Sequence, residues 1–366
     1  MPPLVIKLGT STLTGGTSRL SRSRMVDLAR QIDGLLRGGR RIVLVSSGAI
    51  AAGRELLGDP ALPRSIPSKQ MLAAIGQPRL MEIWSQLFGI YGRFTAQVLL
   101  TRADLDARTR FLNARSTLWA LLGQEVLPIV NENDTVATEE IRVGDNDNLS
   151  ALVANLIHAD RLILLTDRDG LFTADPRRDA DAALIDRIDT PEIPPELWRA
   201  AGGSGQFGVG GMRTKLEAAE LARRAGAEVV IARGDLPDVL TRLESGEKLG
   251  THFTATGSPP ENFKRFILSS AVAGVLAVDR GAAQALRAGS SLLPSGIVRV
   301  EGRFGRGSAV RVVDPDGVEI ARGLAGYESE DCRRLSGLQS REIESALGYY
   351  YGDEVIHRDN LVLLIG

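Results

Sequence analysis

Hydrophobic residues in the first 255 positions form short, continuous apolar runs that alternate with longer amphipathic stretches. Runs without polar alternation are typical of parallel strands that helices cover on both faces. They predict six strands, at Leu4–Leu8, Arg41–Val45, Phe94–Leu100, Leu127–Val130, Arg161–Thr166 and Glu228–Ala232. Helical spacing of apolar residues predicts helices at 22–38, 67–89, 109–123, 147–158 and 212–225. This alternation predicts an α/β fold with a doubly wound, mainly parallel sheet sandwiched by helices, which binds ligands beyond the carboxyl ends of its strands.

The pattern changes after residue 255, where Pro, Gly and Ser residues predict a linker within 256–269. Short β-rich segments separated by turns follow, at Gly296–Glu301, Ala309–Val313, Val318–Ala321 and Asn360–Ile365. We therefore expect a large domain over 1–255 and a small β-barrel-like domain over 270–366.

Composition excludes several classes of protein. Hydrophobic residues make up 43% and charged residues 24% of the chain, which argues against wholesale disorder. The longest apolar run, Ser269–Val278, is too short for a membrane helix, and no basic leader precedes the first strand, so we expect a cytoplasmic protein. The single cysteine, Cys332, excludes an intramolecular disulfide and a cysteine-based metal cluster, and the histidines fall in no motif.

The distribution of lysine gives the first indication of function. Only five of the 44 Lys and Arg residues are lysines, and two of them, Lys7 and Lys215, adjoin glycine-rich turns. Lys7 interrupts the first strand. If this strand is central, the buried ammonium needs a negative partner. If the strand lies at an edge of the sheet, the lysine can instead reach solvent. Lys215 follows Gly208–Gly211 at the start of a helix, a position that favours phosphate, although an incidental lysine in a surface loop fits the same pattern.

A dinucleotide fingerprint at Gly203–Gly208 is rejected, because the proline-rich segment before it cannot be a central strand. Polar residues lie instead where other predicted strands end or helices begin: Ser46-Ser47-Gly48, Asn131–Asp134, Gly144–Asp147 and Thr166-Asp167. Each has an ordinary explanation as a helix cap or turn. Two lysines with glycine-rich turns and no base suit phosphoryl transfer to a carboxylate, whose nucleophilic oxygen is already ionised at neutral pH.

Six motifs carry a resemblance that covers nearly the whole chain: Val5–Ser11, Val45–Gly53, Ile129–Asp134, Gly144–Ala151, Leu165–Asp167 and Gly210–Lys215. In order and spacing they resemble the amino acid kinase family, and within it the branch that phosphorylates glutamate. The C-terminal region resembles a PUA domain. The resemblance implies the amino acid kinase fold and ATP-dependent phosphorylation of the γ-carboxylate of L-glutamate to L-glutamyl 5-phosphate, the first step of proline biosynthesis. It also implies Mg²⁺ with ATP, feedback inhibition by L-proline and a homo-oligomer, dimeric or tetrameric.

The resemblance also assigns roles by motif position. Lys7 and Lys215 would stabilise the transferring phosphoryl group, and Asp147 would hold these lysines in place. Glutamate would be bound by Ser47, Gly48, Asp134 and Asn146, with Asp134 facing its α-ammonium. The nucleotide would be held by Lys7, Thr166, Asp167, Val209, Gly210, Gly211, Met212, Arg213, Thr214 and Lys215.

Two alternatives stay open at this stage. One is a family member that acts on N-acetylglutamate or aspartate, although an N-acetylated substrate offers no ammonium for Asp134. The other is RNA binding through the PUA-like region. Residues 263–366 carry equal numbers of basic and acidic side chains, so we expect weak, salt-sensitive RNA affinity at most, through a local patch of Arg299, Arg303, Arg306 and Arg311.

Overall fold

The computed structural model describes residues 1–137, 146–177, 179–202, 211–257, 264 and 267–364. The chain divides into two compact units, one formed by 1–105 and 114–259 and the other by 106–113 and 260–366. The second unit thus includes an early segment that a linear division of the chain assigns to the first domain. No helix in the described ranges is long and apolar enough to cross a membrane.

The first unit is built on an eight-stranded sheet with the order β3-β4-β2-β1-β5-β7-β8-β6. Its strands are β1 (Pro3–Leu8), β2 (Arg41–Ser46), β3 (Thr95–Leu100), β4 (Leu127–Glu132), β5 (Arg161–Thr166), β6 (Arg187–Ile188), β7 (Glu228–Arg233) and β8 (Thr251–Phe253). Every adjacent pair is parallel except β7 and β8, which confirms the predicted mainly parallel sheet. Because β1 is central, Lys7 cannot be a lysine of an edge strand.

Helices α1–α10 connect these strands. They are α1 (Thr10–Thr14), α2 (Arg22–Arg37), α3 (Ala49–Leu56), α4 (Ile66–Gly89), α5 (Arg102–Asp106), α6 (Arg108–Gly123), α7 (Asn146–Leu156), α8 (Pro195–Ala200), α9 (Met212–Arg224) and α10 (Val239–Glu244). Side chains of α2, α3, α4 and α10 share one core with alternate residues of the central strands. Helices α7 and α9 pack on the sheet outside this core, α7 along β1 and β5 and α9 along β7. The sheet is therefore covered on both faces, as its continuous apolar strands require.

Two glycines allow α3 and α4 to pack at very short range. A Cβ added at Gly76 would lie 1.8 Å from the backbone oxygen of Ala49, and one at Gly53 would lie 2.0 Å from that of Leu72. No other residue type fits at such distances, because real Cβ atoms do not approach backbone this closely. This crossing fixes α4 against the first turn of α3, which begins directly after Gly48.

The second unit is a five-stranded sheet with the order β10-β9-β11-β12-β13. Its elements are β9 (Val272–Val278), α11 (Arg280–Arg287), β10 (Ile297–Gly302), β11 (Ala309–Val313), β12 (Glu319–Leu324), α12 (Ser329–Leu335), α13 (Ile343–Leu347) and β13 (Leu361–Leu363). An apolar core that includes Leu276, Val310 and Tyr327 joins the sheet to these helices. The predicted strand-rich C-terminal domain is confirmed, with β9 and the helices α11, α12 and α13 added to the predicted elements.

Candidate active site

The candidate site lies where β1, β2, β4 and β5 end and where α3, α7 and α9 begin. Parallel strands place their carboxyl ends at one edge of the sheet, and the sheet order changes direction between β1 and β5. Ligands in such sheets bind at this edge, beside the change of direction. Lys7 lies near the end of β1, Asp147 in the first turn of α7, and Lys215 in the first turns of α9.

The two lysines meet at one carboxylate. Lys7 Nζ lies 2.5 Å from Oδ1 of Asp147, and Lys215 Nζ lies 3.1 Å from Oδ2 of the same group. Thr214 donates a hydrogen bond to Oδ2 over 2.7 Å. All four side chains are buried, and Asp147 is fully inaccessible to solvent. The structure thus brings together two positive charges that are 208 residues apart in the sequence.

Burial by itself would raise the pKa of Asp147. The charges of Lys7 and Lys215, with hydrogen bonds from Lys7 and Thr214, outweigh burial and hold this pKa well below its usual range. Asp147 is therefore ionised throughout the neutral pH range. A carboxylate that holds its charge so firmly is a poor proton acceptor, so it suits the positioning of lysines better than general base catalysis.

Glycines keep space open beside the lysines. A Cβ at Gly9 would lie 3.4 Å from Lys7 Nζ, so a larger residue there would crowd the ammonium group. Gly211 precedes α9 as its N-cap and, being glycine, has no side chain with which to cap this helix end. The N-terminus of α9 therefore presents backbone N–H groups and a partial positive charge beside Lys215, a combination that attracts phosphate.

Four polar side chains form a chain of hydrogen bonds next to the lysines, which we call the amide relay: the half-buried Ser47 and the buried Asn146, Asn131 and Gln77. Asn146 Nδ2 donates to Ser47 Oγ over 2.8 Å and to Asn131 Oδ1 over 2.9 Å. Asn131 Nδ2 donates to Gln77 Oε1 over 2.7 Å. The remaining atom of Asn146, Oδ1, is buried and has no hydrogen-bond partner among the described residues. It is an acceptor that a bound ligand can satisfy.

Gly48 joins the relay to the start of α3. Its φ of 108° lies in the left-handed region, and an added Cβ would lie 3.3 Å from side-chain carbons of Leu13 and Leu20. Glycine is needed here for both reasons. Ser47 N donates to Leu8 O over 3.0 Å, which holds the turn against the end of β1.

Asp134 lies beyond the end of β4 and is partly buried. Burial raises its pKa to about 6, and the positive charge of Lys69 on α4 opposes that shift. A positively charged ligand would stabilise the ionised form of a carboxylate that burial destabilises in this way. Its place at the same edge as the relay suits the recognition of an ammonium group.

The residues predicted to bind the nucleotide make fewer described contacts with one another than the lysines and the amide relay do. Thr166 is buried at the end of β5 and donates to the exposed Asp167 over 3.1 Å. At the start of α9, Met212 is half-buried, and Arg213 is exposed and paired with Glu217. Val209 and Gly210 lie outside the described residues, as do the rejected fingerprint at Gly203–Gly208 and Gly144. The residues before that fingerprint form α8 rather than a strand.

Comparison with known proteins identifies the fold family. The model of the amino acid kinase family matches residues 2–233. The chain belongs to the amino acid kinase family. A PUA domain model matches residues 274–347, within the second unit of this amino acid kinase.

Two curated relatives match this amino acid kinase over nearly its full length. The glutamate 5-kinase of Deinococcus radiodurans is 55% identical over 363 residues, which cover 99% of each chain. The glutamate 5-kinase of Vibrio campbellii is 55% identical over 99% of this chain and 96% of its own. The crystal structure of uridylate kinase from Archaeoglobus fulgidus is 18% identical with a TM-score of 0.48, covering 69% of this chain and all of that one.

Sequence reasoning about this amino acid kinase missed Gln77. It lies on the buried side of α4 with Leu72, Ala73, Gly76 and Leu80. A glutamine in an otherwise apolar helical stripe was a signal, because a buried amide needs partners. The sequence did not indicate which residue that partner would be.

Proposed function

We propose that this amino acid kinase transfers the γ-phosphoryl group of Mg·ATP to the γ-carboxylate of L-glutamate, giving L-glutamyl 5-phosphate, the first step of proline biosynthesis. The observation that carries the proposal is the meeting of Lys7 and Lys215 at Asp147. The names of the full-length relatives support glutamate as the acceptor.

In the proposed reaction an oxygen of the substrate carboxylate attacks the γ-phosphorus of ATP. A P–O bond to glutamate forms, the bond to the β–γ bridging oxygen breaks, and ADP leaves with that electron pair. The nucleophile needs no base, so catalysis consists of positioning and charge neutralisation. Lys7 and Lys215 supply the positive charge, and Asp147 acts as a positioning residue that holds both ammonium groups at one point.

Glutamate would lie against the amide relay. The α-ammonium is a donor that satisfies Asn146 Oδ1, the buried acceptor without a described partner. Asp134 supplies the compensating negative charge. Ser47 and Gly48 line the same end of the site, where the small residue at 48 lets a ligand approach the backbone.

ATP would lie between the end of β5 and the N-terminus of α9. Thr166 and Asp167 would contact the nucleoside, and the segment from Val209 to Lys215 would hold the phosphates together with Lys7. Mg²⁺ enters as part of the ATP substrate, bound by its phosphates. Both oxygens of Asp147 are already engaged by Lys7 and Lys215.

We also propose inhibition by L-proline at or near the glutamate site, and a homo-oligomeric state, dimeric or tetrameric.

For the PUA domain we propose a stabilising or regulatory role rather than strong RNA binding. Arg299 pairs with Glu301 over 2.7 Å, and Arg306 donates to Gly326 O over 3.0 Å while its guanidinium lies over the Tyr351 ring. These contacts engage two arginines of the predicted basic patch within the domain itself.

A hydroxamate assay tests the proposed function. Hydroxylamine traps an acyl phosphate, so colour should appear with L-glutamate and Mg·ATP and be absent when either is left out. N-acetylglutamate and aspartate run in parallel as alternative acceptors, with proline as a second variable. Activity on N-acetylglutamate or aspartate but not on glutamate would reject the proposal, whereas activity on glutamate that ignores proline would reject only the feedback.

The pH dependence of glutamate binding should report the ionisation of Asp134. Because burial raises its pKa to about 6, Asp134 loses its negative charge as the pH falls through that value. KM for glutamate should therefore rise below pH 6, while KM for ATP changes little. Asp134→Asn should show a KM for glutamate that is raised roughly tenfold and is flat between pH 5 and 8. A wild-type KM in this variant would contradict the ammonium contact.

A further inference from the structure

The hydrogen bonds of the amide relay run in one direction, and a backbone group sets that direction. The N–H of Glu132 donates to Asn131 Oδ1 over 2.9 Å. A backbone N–H can only donate, so this end of the Asn131 side chain must be its oxygen. The group of Asn146 that faces the same oxygen must then be its NH₂, which leaves Asn146 Oδ1 as a buried acceptor without a partner among the described residues.

The orientation of Asn131 also fixes the other end of the relay. With Oδ1 turned towards Glu132 and Asn146, Nδ2 of Asn131 must find an acceptor elsewhere, and Asn131 is only 2% exposed. Gln77 Oε1 is that acceptor, at 2.7 Å. Gln77 Nε2 in turn faces Gln97 Oε1 at 3.5 Å, the limit of a hydrogen bond, and Gln97 is exposed.

We infer that Gln77 is a positioning residue for amino acid recognition. It accepts from Asn131, Asn131 holds Asn146, and Asn146 presents a carbonyl oxygen rather than an amino group to the substrate ammonium. The inference rests on the proposed function and assigns a role to a residue outside the proposed contacts with glutamate and ATP. Without Gln77, the buried Nδ2 of Asn131 has no acceptor. The Asn131 amide then lowers its free energy by rotating away from its present orientation.

The packing of α4 shows why this residue can act at a distance from the ligand. Gln77 directly follows Gly76, the residue whose missing side chain lets α4 lie against α3. The helix therefore cannot shift without disturbing the turn at Gly48. Ser47 at one end of the relay and Gln77 at the other are held by the same helix crossing.

Steady-state kinetics of Gln77 variants test the inference. Gln77→Met removes the acceptor at nearly constant volume, and Gln77→Asn withdraws it by one methylene. Each should raise KM for glutamate about tenfold, the change expected from one lost hydrogen bond, with KM for ATP within about twofold of wild type. Gln77→Glu keeps an acceptor oxygen and should restore KM for glutamate to within about threefold of wild type.

Gln97→Met is the matched control, because it removes the next amide without touching Asn131, and it should leave both KM values unchanged. The inference is overturned by a wild-type glutamate KM in Gln77→Asn or Gln77→Met, by an equal rise in KM for ATP, or by a Gln77→Glu variant as impaired as Gln77→Asn. Thermal melts of each variant establish that it is folded, and Gln77→Asn decides the matter if Gln77→Met does not fold. A wild-type enzyme inactive on glutamate would instead reject the proposed function.

Discussion

Replacing Lys7 or Lys215 by alanine should lower kcat roughly 10²–10³-fold, a larger change than in either KM. The two ammonium groups would act on charge that develops as the phosphoryl group moves, so their loss is felt mainly in the transition state. Steady-state hydroxamate kinetics with saturating glutamate and Mg·ATP measure the effect. Near-normal turnover in either variant would contradict the role given to that lysine.

Lys248→Ala is the matched control, since Lys248 is an exposed lysine outside the residues assigned to the candidate site. Its kcat should equal that of the wild type. The melting temperature of the Lys7 and Lys215 variants should fall, because each lysine also neutralises part of the buried charge of Asp147. Activity is therefore measured well below the melting transition, where loss of turnover reflects chemistry rather than unfolding.

The long elements of the first unit were predictable from the sequence because burial imposes its pattern on them. Strand β1 is buried at every position, which its uninterrupted apolar run indicated, and a lysine within such a run required a negative partner. The sequence pattern alone could not supply the partner, since Asp147 is 140 residues away. That contact depends on α7 and α9 packing against each other on one side of the sheet.

Short elements were missed for the opposite reason. Helices such as α8 and α13 span six and five residues, too few for a helical period to show. In β9, buried and less buried positions alternate, yet the run Val272–Val278 contains only apolar residues and glycine, so the sequence hides the alternation. Gln77 was missed because its partner Asn131 is 54 residues away.

Neutralising Asp147 should change the pH dependence of the reaction as well as its rate. In Asp147→Asn the two buried ammonium groups lose their counter-charge, so they repel each other and one releases its proton more readily as the pH rises. We expect kcat to fall roughly 10²-fold at pH 7, and to fall further between pH 7 and 9, where the wild type is level. A pH–rate profile of both proteins measures this. Loss of rate by the same factor at every pH would instead indicate that Asp147 acts in the chemical step.

The melting temperature gives an independent measure of the effect of Asp147→Asn. The pKa of Asp147 is held below its unfolded value, so its ion pairs stabilise the native state above about pH 4 and are lost only as the pH falls below that range. Asp147→Asn should therefore melt several degrees below wild type at pH 7, and the difference should shrink in acid. Glu247→Gln, which breaks the exposed pair with Arg242, should change neither the melt nor the profile, because exposed ion pairs contribute little. An Asp147→Asn protein as stable as wild type at pH 7 would mean that Lys7 and Lys215 do not depend on this carboxylate.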